Sequence, residues 1–284
     1  MNRRIGRVAA RIGLIACGIL ASTAVTGTAH ATDPYSQTLL NSEDDIADSL
    51  NAIGWPTADT GNYNFYPGAL GHPDNGTSVT WGTPGSPTTY HGEAKCASFL
   101  TELLKHSYTW ATNTYFTNTF ASTSPTAATY YDVLSAGTAD HFDTLAHVQD
   151  LQAGDIIAIK YTDSGDTGGD ATGHVMTVKS IQTYNRDANS NTTEYAIRVI
   201  DSTSNPHGVV SSNPSSPSQS FPDTRATTSN TTEYSGIGKG WIFIQVDAAG
   251  APAGYWWGAN ENVVTQFHTV AARPITLARL TEAP

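Results

Sequence analysis

Gly173-His174-Val175-Met176-Thr177-Val178-Lys179-Ser180-Ile181 and Tyr195-Ala196-Ile197-Arg198-Val199-Ile200-Asp201 decide how this chain folds. Each alternates along its length and is rich in β-branched residues, the signature of a strand. Asp155-Ile156-Ile157-Ala158-Ile159-Lys160-Tyr161, opened by Ala153-Gly154, is a strand before them, and Asn185 to Asn191 is a turn between them. Trp241-Ile242-Phe243-Ile244-Gln245-Val246 continues the series, and Ile275, Leu277 and Leu280 mark a last strand.

Upstream the period changes. Cys96, Phe99, Leu100, Leu103 and Leu104 follow i, i+3, i+4, i+7, i+8, one face of an amphipathic helix with Cys96 in its first turn. Residues 32–60 carry Leu39, Leu40, Ile46, Leu50 and Ile53 at looser helical spacing. Residues 61–92 are rich in Gly, Pro, Asn, Thr and Tyr and read as irregular loop, residues 109–146 as further helix and loop, and residues 202–235 as an exposed loop. Helices first and a run of antiparallel strands after them is an α+β order.

The 284 residues carry a formal charge of −11, unevenly placed. Arg3, Arg4, Arg7 and Arg11 precede an apolar stretch from Ile12 to Val25, and Ala29-His30-Ala31 fits signal-peptidase cleavage before Thr32. The expected organisation is a secretory signal over residues 1–31 and one domain over 32–284. The stretch is short for a membrane span, and no later segment is apolar enough to cross a bilayer. Leu14-Ile15-Ala16-Cys17 also resembles a lipoprotein box, but simple export to the periplasm or the medium is the expectation. The mature chain then has 10 bases against 25 acids and no basic stripe, which argues against a nucleic-acid partner. A monomer without cofactor is expected.

Export also makes the cysteine count informative. Cys17 leaves with the signal, so Cys96 is the one thiol of the mature chain and has no internal disulfide partner. A helix N-terminus carries roughly half a positive charge and favours thiolate over thiol. His174 opens one strand and Asp201 closes the next. Neighbouring strands would set an imidazole and a carboxylate side by side, the set that covalent thiol catalysis requires.

Lys95-Cys96-Ala97-Ser98-Phe99-Leu100, then Leu151-Gln152-Ala153-Gly154-Asp155-Ile156-Ile157-Ala158-Ile159, then Gly173-His174-Val175-Met176-Thr177-Val178, resembles the papain-like cell-wall hydrolases of the NlpC and CHAP types. The resemblance covers about residues 90–201. It implies a papain-like α+β fold with N-terminal helices packed on an antiparallel sheet, and hydrolysis of amide bonds, often those of peptidoglycan peptides. Carried over, Cys96 is the nucleophile, His174 the base and Asp201 the third member. Tyr90 takes the place of an oxyanion donor. This chain departs from the pattern in Lys95 before the nucleophile, in a Cys-to-His separation of 78 residues and in 83 residues after Asp201.

Other readings stand beside these. Cys96 could be a packed core residue and His174 a surface one. Asp201 could open an Asx-turn, with Asn205 and His207 as rival third members. Asp163, Asp166 and Asp170 share a loop and are read as a solvated acidic loop rather than a Ca²⁺ site. Asp223-Thr224-Arg225 is read as a loop ion pair, and Tyr255-Trp256-Trp257 as core rather than a sugar platform. Asn75, Asn191 and Asn230 open glycosylation acceptor triplets that matter only in a eukaryotic host. A transglutaminase-like acyl transferase and a non-catalytic wall- or glycan-binding module are the alternative functions.

Overall fold

A computed structural model describes residues 34–55, 63–163, 171–185, 192–208, 220–226 and 234–282. The expected signal, Cys17, Asp166, Asp170, Asn191 and Asn230 lie outside the described residues. Helix α1 spans Pro34–Ile53. Short strands β1 (Asn64–Phe65), β2 (Ser78–Thr80) and β3 (His91–Glu93) follow. Helices α2 (Cys96–Ser107), α3 (Asn113–Phe120) and α4 (Ala127–Ser135) come next. The remaining strands are β4 (Phe142–Leu145), β5 (Ile156–Lys160), β6 (Gly173–Thr183), β7 (Thr193–Thr203), β8 (Gly236–Val246), β9 (Pro252–Trp256), β10 (His268–Thr269) and β11 (Ile275–Leu280).

The architecture is α+β. Eight strands form one antiparallel sheet in the order β10-β9-β8-β7-β6-β5-β11-β4. The other three form a small sheet, β1-β3-β2. Along β5, Ile156 and Ala158 turn to α2 and α4, while Ile157 and Ile159 turn to the opposite face with Met176, Val178, Ile197, Val199, Ile242 and Ile244. Sheet curvature brings β9 into contact with β11, so Tyr255 and Leu277 join that second core. Strands covered on both faces read as apolar runs, which is why β5 shows no alternation.

Helix α2 buries Phe99, Leu100, Leu103 and Leu104, each contributing about 1.5–3 kcal/mol of apolar burial. Its start is set locally: the Lys95 backbone N–H donates to Ser98 Oγ at 3.1 Å, which satisfies a group just ahead of the first turn. Helices α3 and α4 are N-capped by Thr112 and Thr126, whose hydroxyls accept from Tyr115 N and Thr129 N.

Three expectations change. Residues 61–92 are not loop throughout, since β1, β2 and β3 lie in or at the end of that span. Strands of two or three residues are too short to show alternation. Strand β8 begins at Gly236 rather than Trp241. Residues 202–235 are not exposed throughout, since Ser202, Thr203, His207, Asp223 and Arg225 are buried.

Candidate active site

Strands β6 and β7 pair with Thr177 opposite Ile200, which sets Met176 across from Asp201 and His174 two residues further on the same face. Such diagonal neighbours are within reach of long side chains. His174 Nε2 lies 2.5 Å from Asp201 Oδ2, and both residues are buried. Strand β7 runs through Asp201 to Thr203, so Asp201 is a strand residue and not the head of an Asx-turn.

Helix α2 packs its N-terminus against this corner. Ser202 Oγ donates to Ala94 O at 2.6 Å, tying β7 to the segment that leads into the helix. The Cys96 thiol and the His174 imidazole interact side chain to side chain, and the Val175 N–H also reaches the sulfur. With Nε2 committed to Asp201, Nδ1 is the nitrogen left for the thiol. The structure therefore brings Cys96, His174 and Asp201 into one chain of contacts.

The electrostatics of the three are linked. Burial works against the Cys96 thiolate, but His174 and the Val175 N–H outweigh it and hold the thiol below its usual range. Burial likewise opposes the His174 imidazolium, yet the Cys96 sulfur and the Asp201 carboxylate raise it to about 9. Burial of Asp201 is overcome by Arg225, His207 and His174, which hold its carboxyl well below the usual range. Cys96 and His174 thus favour the thiolate–imidazolium form.

Tyr90 is not in this site. Its hydroxyl donates to Asp45 Oδ2 on α1 at 2.8 Å, and its ring is buried with Leu40, Ile46 and Phe99. A different tyrosine, Tyr66, lies beside the thiol. The Tyr66 side chain contacts Cys96, and burial together with the sulfur raises the phenol. Asn64 holds this segment in place: Nδ2 donates to Ile237 O at 2.9 Å, and Ile237 N donates to Oδ1 at 2.8 Å. The Tyr66 N–H donates to Ser235 Oγ at 3.2 Å.

Behind Asp201 stands a second tier. Arg225 NH1 donates to Asp201 Oδ1 at 2.8 Å, and Asp223 binds the same guanidinium through both oxygens at 2.9 Å. The pair Asp223–Arg225 is therefore a buried clamp rather than a loop ion pair. His207 Nε2 lies 2.9 Å from Asp201 Oδ2, the same oxygen that meets His174. Asn205 is exposed, holds its backbone to Thr203 and does not touch Asp201. Trp257 meets His174 edge-on at 4.8 Å and stacks on His207 at 3.9 Å. Tyr255 and Trp256 are core as expected, whereas Trp257 is half-buried at the site.

Two cavities flank the thiol–imidazole pair. One of about 430 Å³ lies on the His174 side, lined by Asn205, Trp257, Glu261 and Arg273 among others. The second, about 350 Å³, lies on the Cys96 side with Asp74, Lys95 and Thr126 in its wall. Tyr66 and Gly173 line both. Gly173 has a φ of 149°, and a Cβ there would fall 2.0 Å from Ile159 O, so no other residue fits where β6 starts against β5.

Ligand-type atoms of His174, Asp201 and His207 lie within 4.8 Å of one another. Asp201 Oδ2 faces both imidazoles, and the Arg225 guanidinium sits on Oδ1. Hydrogen bonding accounts for the cluster, and a cation placed there would meet Arg225. Asp163, half-buried, accepts from Nε of the buried Arg273 at 3.0 and 3.1 Å, so it is an ion-pair partner rather than a solvated carboxylate. Among the described residues no helix is long and apolar enough to cross a membrane.

Sequence reasoning named Cys96, His174 and Asp201, and weighed His207 only as a rival to Asp201. It missed Tyr66 and the place of Arg225. One signal was present: Gly236-Ile237-Gly238-Lys239-Gly240 puts a glycine at every second position of β8, and alternating glycines in a strand mark a close approach. Gly238 pairs with Asp201. A Cβ on Gly238 would lie 3.0 Å from the Arg225 side chain, and one on Gly240 2.4 Å from Asp223 Oδ2 and 2.8 Å from His207.

Over 210 residues the chain is 26% identical to an uncharacterized protein of Acanthamoeba polyphaga mimivirus, covering 71% of this chain and 84% of the viral protein. No protein-family model matches the sequence, and no solved structure matches it.

Proposed function

We propose that this protein is an exported papain-like cysteine hydrolase of NlpC or CHAP type that cleaves amide bonds, with peptides of the cell wall as substrate class. The observation that carries the reading is the contact chain from a thiol at a helix N-terminus, through a buried imidazole, to a carboxylate on the next strand.

The Cys96 thiolate attacks the amide carbonyl carbon and forms a C–S bond. Tyr66 donates its phenolic hydrogen to the developing oxyanion, in a place where its raised phenol keeps that hydrogen. His174 delivers its Nδ1 proton to the leaving nitrogen as the C–N bond breaks, and an amine departs. Water then attacks the thioester, His174 takes its proton, and the C–S bond breaks to release the carboxylic acid and return the thiolate–imidazolium pair. Asp201 keeps the ring oriented throughout.

The test uses purified sacculi with peptide release read by mass. Cys96→Ala should lose turnover by at least about 10³-fold while keeping its circular dichroism and Tm. Undiminished release by that variant overturns the reading. Retained sacculus binding with no product from the wild type would favour a binding module instead, and amine incorporation without hydrolysis an acyl transferase.

A further inference from the structure

His207 has acceptors on both sides of its ring. Nε2 lies 2.9 Å from Asp201 Oδ2, and Nδ1 lies 3.0 Å from the carbonyl oxygen of Trp257. A main-chain carbonyl has no hydrogen to give. Asp201 has none either, because Arg225 sits on Oδ1 and its carboxyl is held ionised. A neutral imidazole carries one N–H and one bare lone pair, so in this setting it would aim that lone pair at an acceptor. Two oxygens therefore require two ring hydrogens.

We infer that His207 is a buried imidazolium whose fixed charge positions Asp201 for His174. The inference deepens the cysteine-hydrolase reading and rests on it for its catalytic part. The surroundings suit a cation. The ring stacks on Trp257 with centroids 3.9 Å apart and planes 21° from parallel, and an indole face attracts positive charge. The His207 N–H donates to Asp223 Oδ2 at 2.8 Å. Trp257 itself is fixed by Nε1 donating to Pro206 O at 3.1 Å and by its N–H on Glu261. Charges facing the ring come from β7 (Asp201), β6 (His174) and the 220–226 segment (Asp223, Arg225). Asp201 and Asp223 balance Arg225 and His207, and Cys96 and His174 balance each other.

The catalytic consequence follows from sharing one oxygen. Asp201 Oδ2 serves both rings, so a positive His207 draws on the charge that would otherwise hold the proton on His174. That makes His174 readier to hand its proton to a leaving amine. His207 touches no reacting atom and is a positioning residue.

Two measurements decide it. In the wild-type protein, ¹⁵N–¹H spectra of histidine-labelled chain at pH 8 should show both ring nitrogens of His207 protonated; one protonated and one bare nitrogen overturns the inference. In His207→Gln, which supplies an amide donor without charge, the alkaline limb of the Cys96 iodoacetamide-labelling profile should move to higher pH. The kcat for peptide release should fall about tenfold with KM nearly unchanged, as expected when proton delivery is impaired. A purely structural role predicts no upward movement, so a limb that stays or moves down in the folded variant overturns the positioning role. If wild-type Cys96 labels only after denaturation, the cysteine-hydrolase reading fails instead, and the nitrogen signals still decide the charge of His207.

Discussion

Asp201 holds four polar contacts in a buried corner: His174, His207 and the Arg225 side chain on its carboxylate, and Arg225 again on its carbonyl. Asparagine there keeps an oxygen for Arg225 but sets an N–H₂ where His174 and His207 share an acceptor, and it removes the charge that balances the buried cations. Asp201→Asn should therefore cost about 3–5 kcal/mol, the usual penalty for breaking a buried pair, read by urea unfolding. Loss of activity without loss of stability would mean that the clamp does not need Asp201. The pH dependence also belongs to single residues. His174 is raised in the fold, so its contribution to stability is complete below the unfolded value of about 6.5 and is lost as pH climbs through about 9. Cys96 is lowered, so its contribution is lost as pH falls, not as it rises. Between pH 8 and 10 the wild-type Tm should drop more steeply than that of His174→Gln; parallel curves would remove the ion pair from the stability of the protein.

At the scale of elements, the site is a meeting of α2, β6 and β7, with β8 made thin enough to admit Arg225 and His207. One hydrogen bond joins helix to sheet ahead of the thiol, from Ser202 to Ala94 O. Ser202→Ala leaves that buried carbonyl unpaired, at a cost of about 1–3 kcal/mol. Because it loosens the approach of Cys96 to His174, a fall in kcat is expected at a temperature where the variant is fully folded. Unchanged kcat with lowered Tm would make the link structural only. The same elements explain what could be read from the chain alone. Helix α2 and strands β5, β6 and β7 are long enough for period 3.6, apolar run and alternation to register, so Cys96, His174 and Asp201 came with them. Tyr66, His207 and Arg225 sit in short or irregular segments that have no period. Tyr90 was named from its distance to Cys96 in sequence, but β3 turns it toward α1 and Asp45.

For the molecule as a whole, the decisive feature is the order of the eight-stranded sheet. Most neighbours in it are consecutive in sequence, but β11 enters between β5 and β4, pairing with both. Buried Leu277, Ala278 and Leu280 serve the cores on both faces. A chain ending at residue 270 should lose the cooperative thermal transition altogether, not merely a few degrees; a sharp transition near the full-length Tm would show that the strand is dispensable. This placement also sets an order in time. Of the described strands, the one made last is the one that joins β4 to the rest of the sheet. Until it arrives, β4 has no partner and β5 shows a bare edge, the kind of surface that pairs with whatever strand comes near. The newborn chain is thus open to wrong partners until β11 has been made, and whatever accompanies it must stay until residue 280 is free.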